Sequence, residues 1–198
     1  MNGEVKTLFE MYGGIMRTSD LHKHGFYYRK IQNLLEKGEI EQIHRGYYQF
    51  CGDASFSDIP TINALFPDAV ICMESALDYY GYADRTPMCW HLAFDSKKSR
   101  TRVYGLDYPM IQAHFMSNNQ LEMGVTTTSI DGQTVRIFDR DRTICDVLKR
   151  KNKMDREEYN TAIKRYVGDS KKKIPNLYEY AERLHAKKHV DEVLGAWV

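Results

Sequence analysis

The 198-residue chain has only four cysteines, Cys51, Cys72, Cys89 and Cys145, scattered and without a CxxC pair. That spacing argues against a disulfide framework and a cysteine zinc site, so reduced, mostly buried thiols are expected. No run approaches the roughly 18 consecutive apolar residues that span a bilayer. The opening MNGEVKTLFEMYGG has no basic segment leading into an apolar one. A cytoplasmic protein with no membrane partner is therefore expected. Also missing are a glycine-rich phosphate cradle, an oxyanion loop, and histidines and carboxylates at metal-ligand spacing. Cys89-Trp90-His91 would set a thiol and an imidazole on one strand face, and Cys145-Asp146 falls on a helix, but neither comes with the rest of a catalytic site. Pro67-Asp68 opens a nuclease-like pattern that no Glu-x-Lys completes. The chain reads as a binder with no catalytic residues, metal or cofactor, and an enzymatic C-terminal region is the weaker alternative.

Charge of one sign is scarce as well. The net charge is +1, which hides an uneven distribution. Residues 1–58 hold 7 basic and 8 acidic side chains, 59–140 hold 7 and 9, and 141–198 hold 14 and 10. A nucleic-acid-binding domain usually carries a broad basic surplus, and the N-terminal third does not. Any such activity there must rest on where cations are placed.

What is present is an ordinary folding composition, 42% hydrophobic and 28% charged. Val5, Leu8, Phe9 and Tyr12 form one apolar helix face, ended by Gly13-Gly14. Ile15-Met16-Arg17 reads as a short extended link. Thr18 and Asp20 then suit the start of a helix in which Leu21 faces inward, and Gly25 permits a left-handed turn. Tyr27 to Lys37 has helical spacing with Tyr27, Ile31, Leu34 and Leu35 inside and Arg29, Asn33 and Glu36 opposite, before Gly38 stops it. Glu39–Ile43 and Tyr47–Phe50 make a hairpin around His44-Arg45-Gly46. Helix, turn, helix, hairpin is the order of a winged helix-turn-helix.

On that frame, Arg29, Gln32 and Asn33 are side chains able to pair with base edges in a major groove. Thr18, Ser19, Tyr28 and Lys30 are placed to hold phosphates, and Arg45 stands at the wing tip, within reach of a phosphate or a narrow minor groove. Arg, Lys and Gln also suit a merely solvated helix face, and a wing can simply cover a core.

Gly52–Pro60 is small, polar and proline-terminated, and reads as a linker between a domain at 1–52 and another at 59–198. Beyond it come a short helix at 59–66, a strand at 69–73, a helix at 74–80, and strands at 88–94 and 110–115. Two more strands, 126–130 and 134–138, flank an Asp131-Gly132 hairpin turn. Three amphipathic helices follow Arg142, the last two separated by Gly168–Pro175. The fold class expected is α+β: an N-terminal winged helix-turn-helix, then a mixed α/β domain ending in amphipathic helices. Two basic stretches are candidate partner surfaces: Ser96–Arg102, with Lys97, Lys98, Arg100 and Arg102, and the run Lys171, Lys172 and Lys173. The tyrosines, Tyr27, Tyr47, Tyr48, Tyr79, Tyr80 and Tyr82 among them, are expected to be half-buried core.

The opening elements, the hairpin HRGYY (44–48), the stretch ICMESALDYYGYADRTP (71–87) and DRDRTICDVLKRKNKMD (139–155) together resemble an AbiEi-type antitoxin. The resemblance spans nearly the whole chain. It implies a transcriptional regulator of a type IV toxin-antitoxin system, linked to abortive phage infection. An N-terminal winged helix would repress its own operon, and a C-terminal domain would counter a nucleotidyltransferase-like toxin encoded alongside. It marks the segments around Ser75 and Asp146 as family landmarks without a catalytic role. The expected partners are double-stranded promoter DNA carrying a repeated operator, on which copies could assemble cooperatively, and, directly or indirectly, the toxin. A winged-helix regulator without antitoxin activity is the alternative.

Overall fold

The structure is a computed structural model that describes residues 2–52, 57–98, 103, 106 and 108–195. Two compact units emerge, one comprising residues 1–67 with 106–109 and 129–133, the other 68–105, 110–128 and 134–198.

The first unit opens with α1 (Asn2–Met11), β1 (Ile15–Arg17), α2 (Thr18–Lys23), α3 (Tyr28–Glu36), β2 (Ile40–His44) and β3 (Tyr47–Phe50). Gly13 and Gly14 both take positive φ and end α1, with the Gly14 amide returning to the Phe9 carbonyl at 2.8 Å. The supposed link Ile15–Arg17 is a strand. It pairs antiparallel with β3, Ile15 opposite Gln49 and Arg17 opposite Tyr47, giving the sheet order β1-β3-β2. Three residues are too short to show an alternating pattern, so the sequence concealed this pairing. Val5, Phe9, Met16, Leu21, Ile31, Leu34, Ile40 and Tyr48 close the core beneath the sheet.

One further helix, α4 (Ile59–Leu65), belongs to this unit, although the expected boundary assigned it to the second domain. The Arg17 guanidinium donates to the Ala64 carbonyl at 3.2 Å, which ties α4 to β1. A polar, proline-terminated stretch marks a loop but carries no information about which core the next helix joins.

The second unit is built on a five-stranded sheet in the order β6-β5-β4-β8-β7. The strands are β4 (Val70–Ile71), β5 (Trp90–Asp95), β6 (Ile111–Met116), β7 (Val125–Ile130) and β8 (Gln133–Phe138). β4 runs antiparallel to β5 and parallel to β8, and β5 runs parallel to β6. The Asp131-Gly132 turn has positive φ at both residues, 49° and 74°, as a two-residue hairpin of that twist requires. The helices are α5 (Met73–Tyr79), α6 (Asn118–Leu121), α7 (Arg140–Lys149), α8 (Arg156–Gly168), α9 (Ile174–Arg183) and α10 (Lys187–Leu194). Among the described residues four α-helices, with a short 3-10 helix at Lys151–Lys153, therefore follow β8 where three helices were expected. His185, at positive φ, breaks what reads as one continuing pattern. Val70, Ala93 and Phe138 of the sheet pack with Leu77, Ile144, Tyr166, Leu177 and Val190 of the helices. Among the described residues no helix is long and apolar enough to cross a membrane.

The landmark DRDRT at the start of α7 is the junction of this unit. Asp139 caps α7 by accepting from the Arg142 amide at 2.7 Å, and also accepts from the Tyr180 hydroxyl. Arg140 pairs with Asp169 and lies over the Tyr80 ring. Asp141 accepts from the Tyr166 hydroxyl and the Lys173 amide. Arg142 is only 1% exposed. It donates to Asp146 at 3.0 Å and to the Gln120 and Met123 carbonyls, both at 2.7 Å, while its guanidinium stacks on Phe138. Gly124, at φ 71°, lets the chain pass beside it, since a Cβ there would meet the Arg142 Cβ at 2.6 Å. Gly124→Ala should therefore destabilise the fold by roughly 2–4 kcal/mol in urea unfolding, through backbone strain plus overpacking. Arg142→Met should cost roughly 3–5 kcal/mol by stranding the Asp146 charge. Adding Asp146→Leu should restore part of that, and an unchanged double variant would show that the ion pair is not the source.

Candidate nucleic-acid interface

The turn between α2 and α3 is made by Gly25 at φ 75°, with the Phe26 amide returning to the Leu21 carbonyl at 2.9 Å. Burial of Ile31 and Leu34 fixes the rotation of α3, so Arg29, Asn33 and Glu36 point outward, Lys30 is exposed and Gln32 is half-buried. The two cations lie in the N-terminal half of the helix, Lys30 over the Phe26 ring at 5.0 Å, while the exposed acid Glu36 is its last residue. In α2 the only acid, Asp20, is paired with Lys23 at 2.8 Å. The N-terminal half of α3 thus carries two cations and no acid of its own, with Glu4 of α1 lining the same depression as Arg29 and Asn33.

Two expected placements change. Tyr27 is not on the core face: it precedes α3 in extended conformation and is 65% exposed, its ring beside that of His22. The apolar face begins only at Ile31, because the chain is still turning into the helix at Tyr27. Thr18 does not cap α2 and is not free for a phosphate. Its backbone amide and its hydroxyl both donate to the Gly46 carbonyl, at 2.9 and 3.2 Å. Thr18 therefore holds the wing turn against the start of α2. Ser19 beside it is exposed. The wing is short, with Arg45 exposed in a two-residue turn whose Gly46 has φ 77° and with a register shift between Gln42 and His44. Arg17 is occupied inside the unit, over the Tyr47 ring and on Ala64.

The other basic candidates are less open than their sequence suggests. The Lys98 ammonium pairs with Asp68, and Lys97 is exposed, while Arg100 and Arg102 lie outside the described residues. In the triple-lysine run, the Lys172 ammonium donates to the Val167 and Asp169 carbonyls and so closes the end of α8. Lys171 and Lys173 keep exposed side chains. Among the tyrosines, Tyr48 and Tyr82 are buried, but Tyr79 is 41% exposed.

A polar cluster in the second unit escaped sequence reading because its members lie 17 and 23 residues apart. His91 Nδ1 lies 2.7 Å from Glu74 Oε2 and 3.1 Å from His114 Nε2, with the two imidazoles stacked. The chain folds tightly around His91: its amide donates to Ser75 Oγ, and its carbonyl accepts from the Cys72 amide. Met73, between them, is held at φ 47°, an uncommon conformation for a long side chain. Burial, with Arg150 and His91 nearby, lowers the His114 imidazole to about 4. The Cys89 thiol is pushed up, by burial first and then by Glu74, the wrong direction for a nucleophile. Among the described residues no group of three or more His, Cys, Asp or Glu side chains could hold a metal ion.

Residues 4–50, the span of the helix-turn-helix and its wing, match a family model described as transcriptional regulator, AbiEi antitoxin. In that segment the chain is similar to AbiEi-type regulators. In fold, 96% of the chain matches 75% of the RV2827C protein from Mycobacterium tuberculosis, with a TM-score of 0.71 and 13% identity. At that identity the likeness concerns the fold alone. No curated protein matches the sequence.

The lowered His114 sets a pH dependence. An unfolded chain takes up a proton near the ordinary 6.5, whereas the folded chain does so only near 4. The unfolded state therefore binds more protons in that window, and stability must fall as pH drops from about 6.5 to 4. Urea unfolding at a series of pH values should show this slope in the wild type and a shallower one in His114→Gln. Parallel slopes would assign the acid sensitivity to other groups.

Proposed function

We propose that the protein represses transcription of its own operon by occupying the promoter, and that it serves as the antitoxin of a type IV system. The observation that carries the first part is the pairing of the AbiEi match over residues 4–50 with an α3 that turns Arg29 and Asn33 outward, next to an exposed Arg45 wing. Arg can bond a guanine edge and Asn an adenine edge in two places each, in a groove wide enough for a helix. Arg45 and Lys30 supply phosphate contacts that set register without reading sequence. One small module touches few base pairs, so two copies on a repeated operator supply the selectivity, and they need not form a stable dimer in solution.

The antitoxin part rests on the family description and on the sequence resemblance in the second unit. There DRDRT and the Ser75 segment act as fold residues: Ser75 holds the His91 amide and Asp146 holds Arg142. The activity is accordingly assigned to a surface of the second unit, acting on a nucleotidyltransferase-like toxin or on that toxin's target, and to no catalytic centre. Neutralising DNA phosphates releases counterions, so operator affinity should fall steeply with salt.

Titration against the DNA upstream of the gene tests the repressor reading. Arg29→Ala and Asn33→Ala should each cost roughly 1–3 kcal/mol and relax sequence preference. Arg45→Ala should weaken binding to all sequences alike and reduce the salt slope by about one. Equal binding by wild type and the α3 variants would remove α3 as the reading helix. Co-expression with the neighbouring toxin gene tests the second part: the full-length chain should restore growth and the α3 variants should still do so. Failure of the full-length chain to restore growth would leave a regulator without antitoxin activity.

A further inference from the structure

Tyr28 is the first residue of α3 and is 75% exposed, more than any other aromatic side chain among the described residues that are recorded as exposed. Its side chain has no hydrogen bond, ring or ion partner among the described residues, in contrast to Tyr27, whose ring lies beside His22. Tyr28 is not part of the core of this unit: the buried residues of α3 begin at Ile31, and Tyr28, one turn earlier, is left exposed. A large ring left in water at the leading end of a helix, beside Arg29, is free to make a contact.

Its neighbours indicate which partner. On a helix, residues four apart form ridges, so Tyr28 stands in line with Gln32, and Arg29 stands in the adjacent line with Asn33. Three of those four side chains read base edges through paired hydrogen bonds, Arg at guanine and Gln or Asn at adenine. The thymine C5-methyl is the apolar feature of the same groove, and it is read by apolar contact. Residues at the start of a recognition helix are the ones that reach the bases. The Tyr28 hydroxyl could bond a phosphate, but that use would leave the apolar ring face unburied.

We propose that Tyr28 reads a thymine methyl in the operator, its ring packed against the C5-methyl beside the base pairs addressed by Arg29 and by Gln32 or Asn33. The bound sequence then holds a guanine close to A·T pairs, one of whose thymines is recognised by its methyl group. This inference rests on the DNA-binding reading of α3 and adds a specificity residue to it.

The test removes the methyl from the DNA and the ring from the protein. A binding site is selected from random duplexes with the full-length chain, and each thymine in it is then replaced singly by deoxyuridine, which lacks only the methyl. At one thymine per half-site the replacement should weaken wild-type binding roughly fourfold, the worth of one buried methyl-sized group. Tyr28→Ala should lose about as much on the thymine duplex and be indifferent to the replacement. Tyr28→Phe, which keeps the ring, should keep both the affinity and the sensitivity to deoxyuridine. All three proteins should unfold alike in urea, since the side chain is exposed. If a site is selected but no thymine is sensitive, or the sensitivity survives in Tyr28→Ala, the methyl reading is overturned and α3 remains the reading helix. Selection of no site at all would overturn both. A loss with Tyr28→Phe equal to that with Tyr28→Ala would assign Tyr28 to a phosphate through its hydroxyl and overturn the methyl reading.

Discussion

The buried guanidinium of Arg142 is the constraint around which the second unit is arranged. Taking a cation out of water costs several kcal/mol, and that cost is offset only if each donor finds an acceptor. Asp146 on the same helix takes one, the Gln120 and Met123 carbonyls take others, and the Phe138 ring lies beneath the flat face of the group. Arginine suits this task where lysine does not, because its planar fork can bond in several directions and stack at the same time. The requirement then spreads outward. The segment carrying the two carbonyls must come close, which is why Gly124 follows it, and the end of β8 must lead straight into α7. The flanking DRDRT residues fasten the same junction to α8, to α9 and to the turn between them through Tyr166, Tyr180 and Lys173. Burial holds the Asp146 carboxyl above the usual carboxylate range, against the opposing pull of Arg142 and Lys149.

A comparable fastening, on a smaller scale, shapes the first unit. Thr18 donates twice to the Gly46 carbonyl in the wing turn, which ties the start of α2 to the wing. Arg45 stands in the same turn, next to Gly46. The segment has no surplus of positive charge. Asp20 is held by Lys23 and Glu36 sits at the far end of α3, while Glu4 of α1 lines the same depression as Arg29, Lys30 and Asn33. Charge placement substitutes for charge amount. A nucleic-acid interface built on this face would depend on a few contacts of defined geometry more than on long-range attraction.

Much of the N-terminal fold was legible in the sequence. The apolar spacing of Val5 with Phe9 and of Ile31 with Leu34, the glycines after α1, α2 and α3, and the Asp131-Gly132 turn are all local signals, and the structure contains the corresponding elements. The outward aim of Arg29 and Asn33 was legible for the same reason, since it follows from helical period alone. Less was legible where an element is short or its role depends on a distant partner. The strand at Ile15–Arg17 needs β3 to exist as a strand. The helix after the linker joins the first core through Arg17 and Ala64, 47 residues apart. Tyr27 looked like core by spacing, but the helix starts one residue too late to bury it.

The sequence by itself determined most of the helices, strands and turns to within a few residues, though not β1, α6 or α10, and which face of α3 is polar, because these depend on side chains up to four positions apart. Only the tertiary structure decided that Thr18 serves the wing instead of a phosphate and that Lys172 closes a helix instead of forming a patch. It also decided that Arg142 is buried and that Glu74, His91 and His114 meet. Each of these outcomes depends on which acceptor or donor the folded chain brings within about 3 Å, and that is set by pairings of residues distant in the chain, which no local pattern encodes.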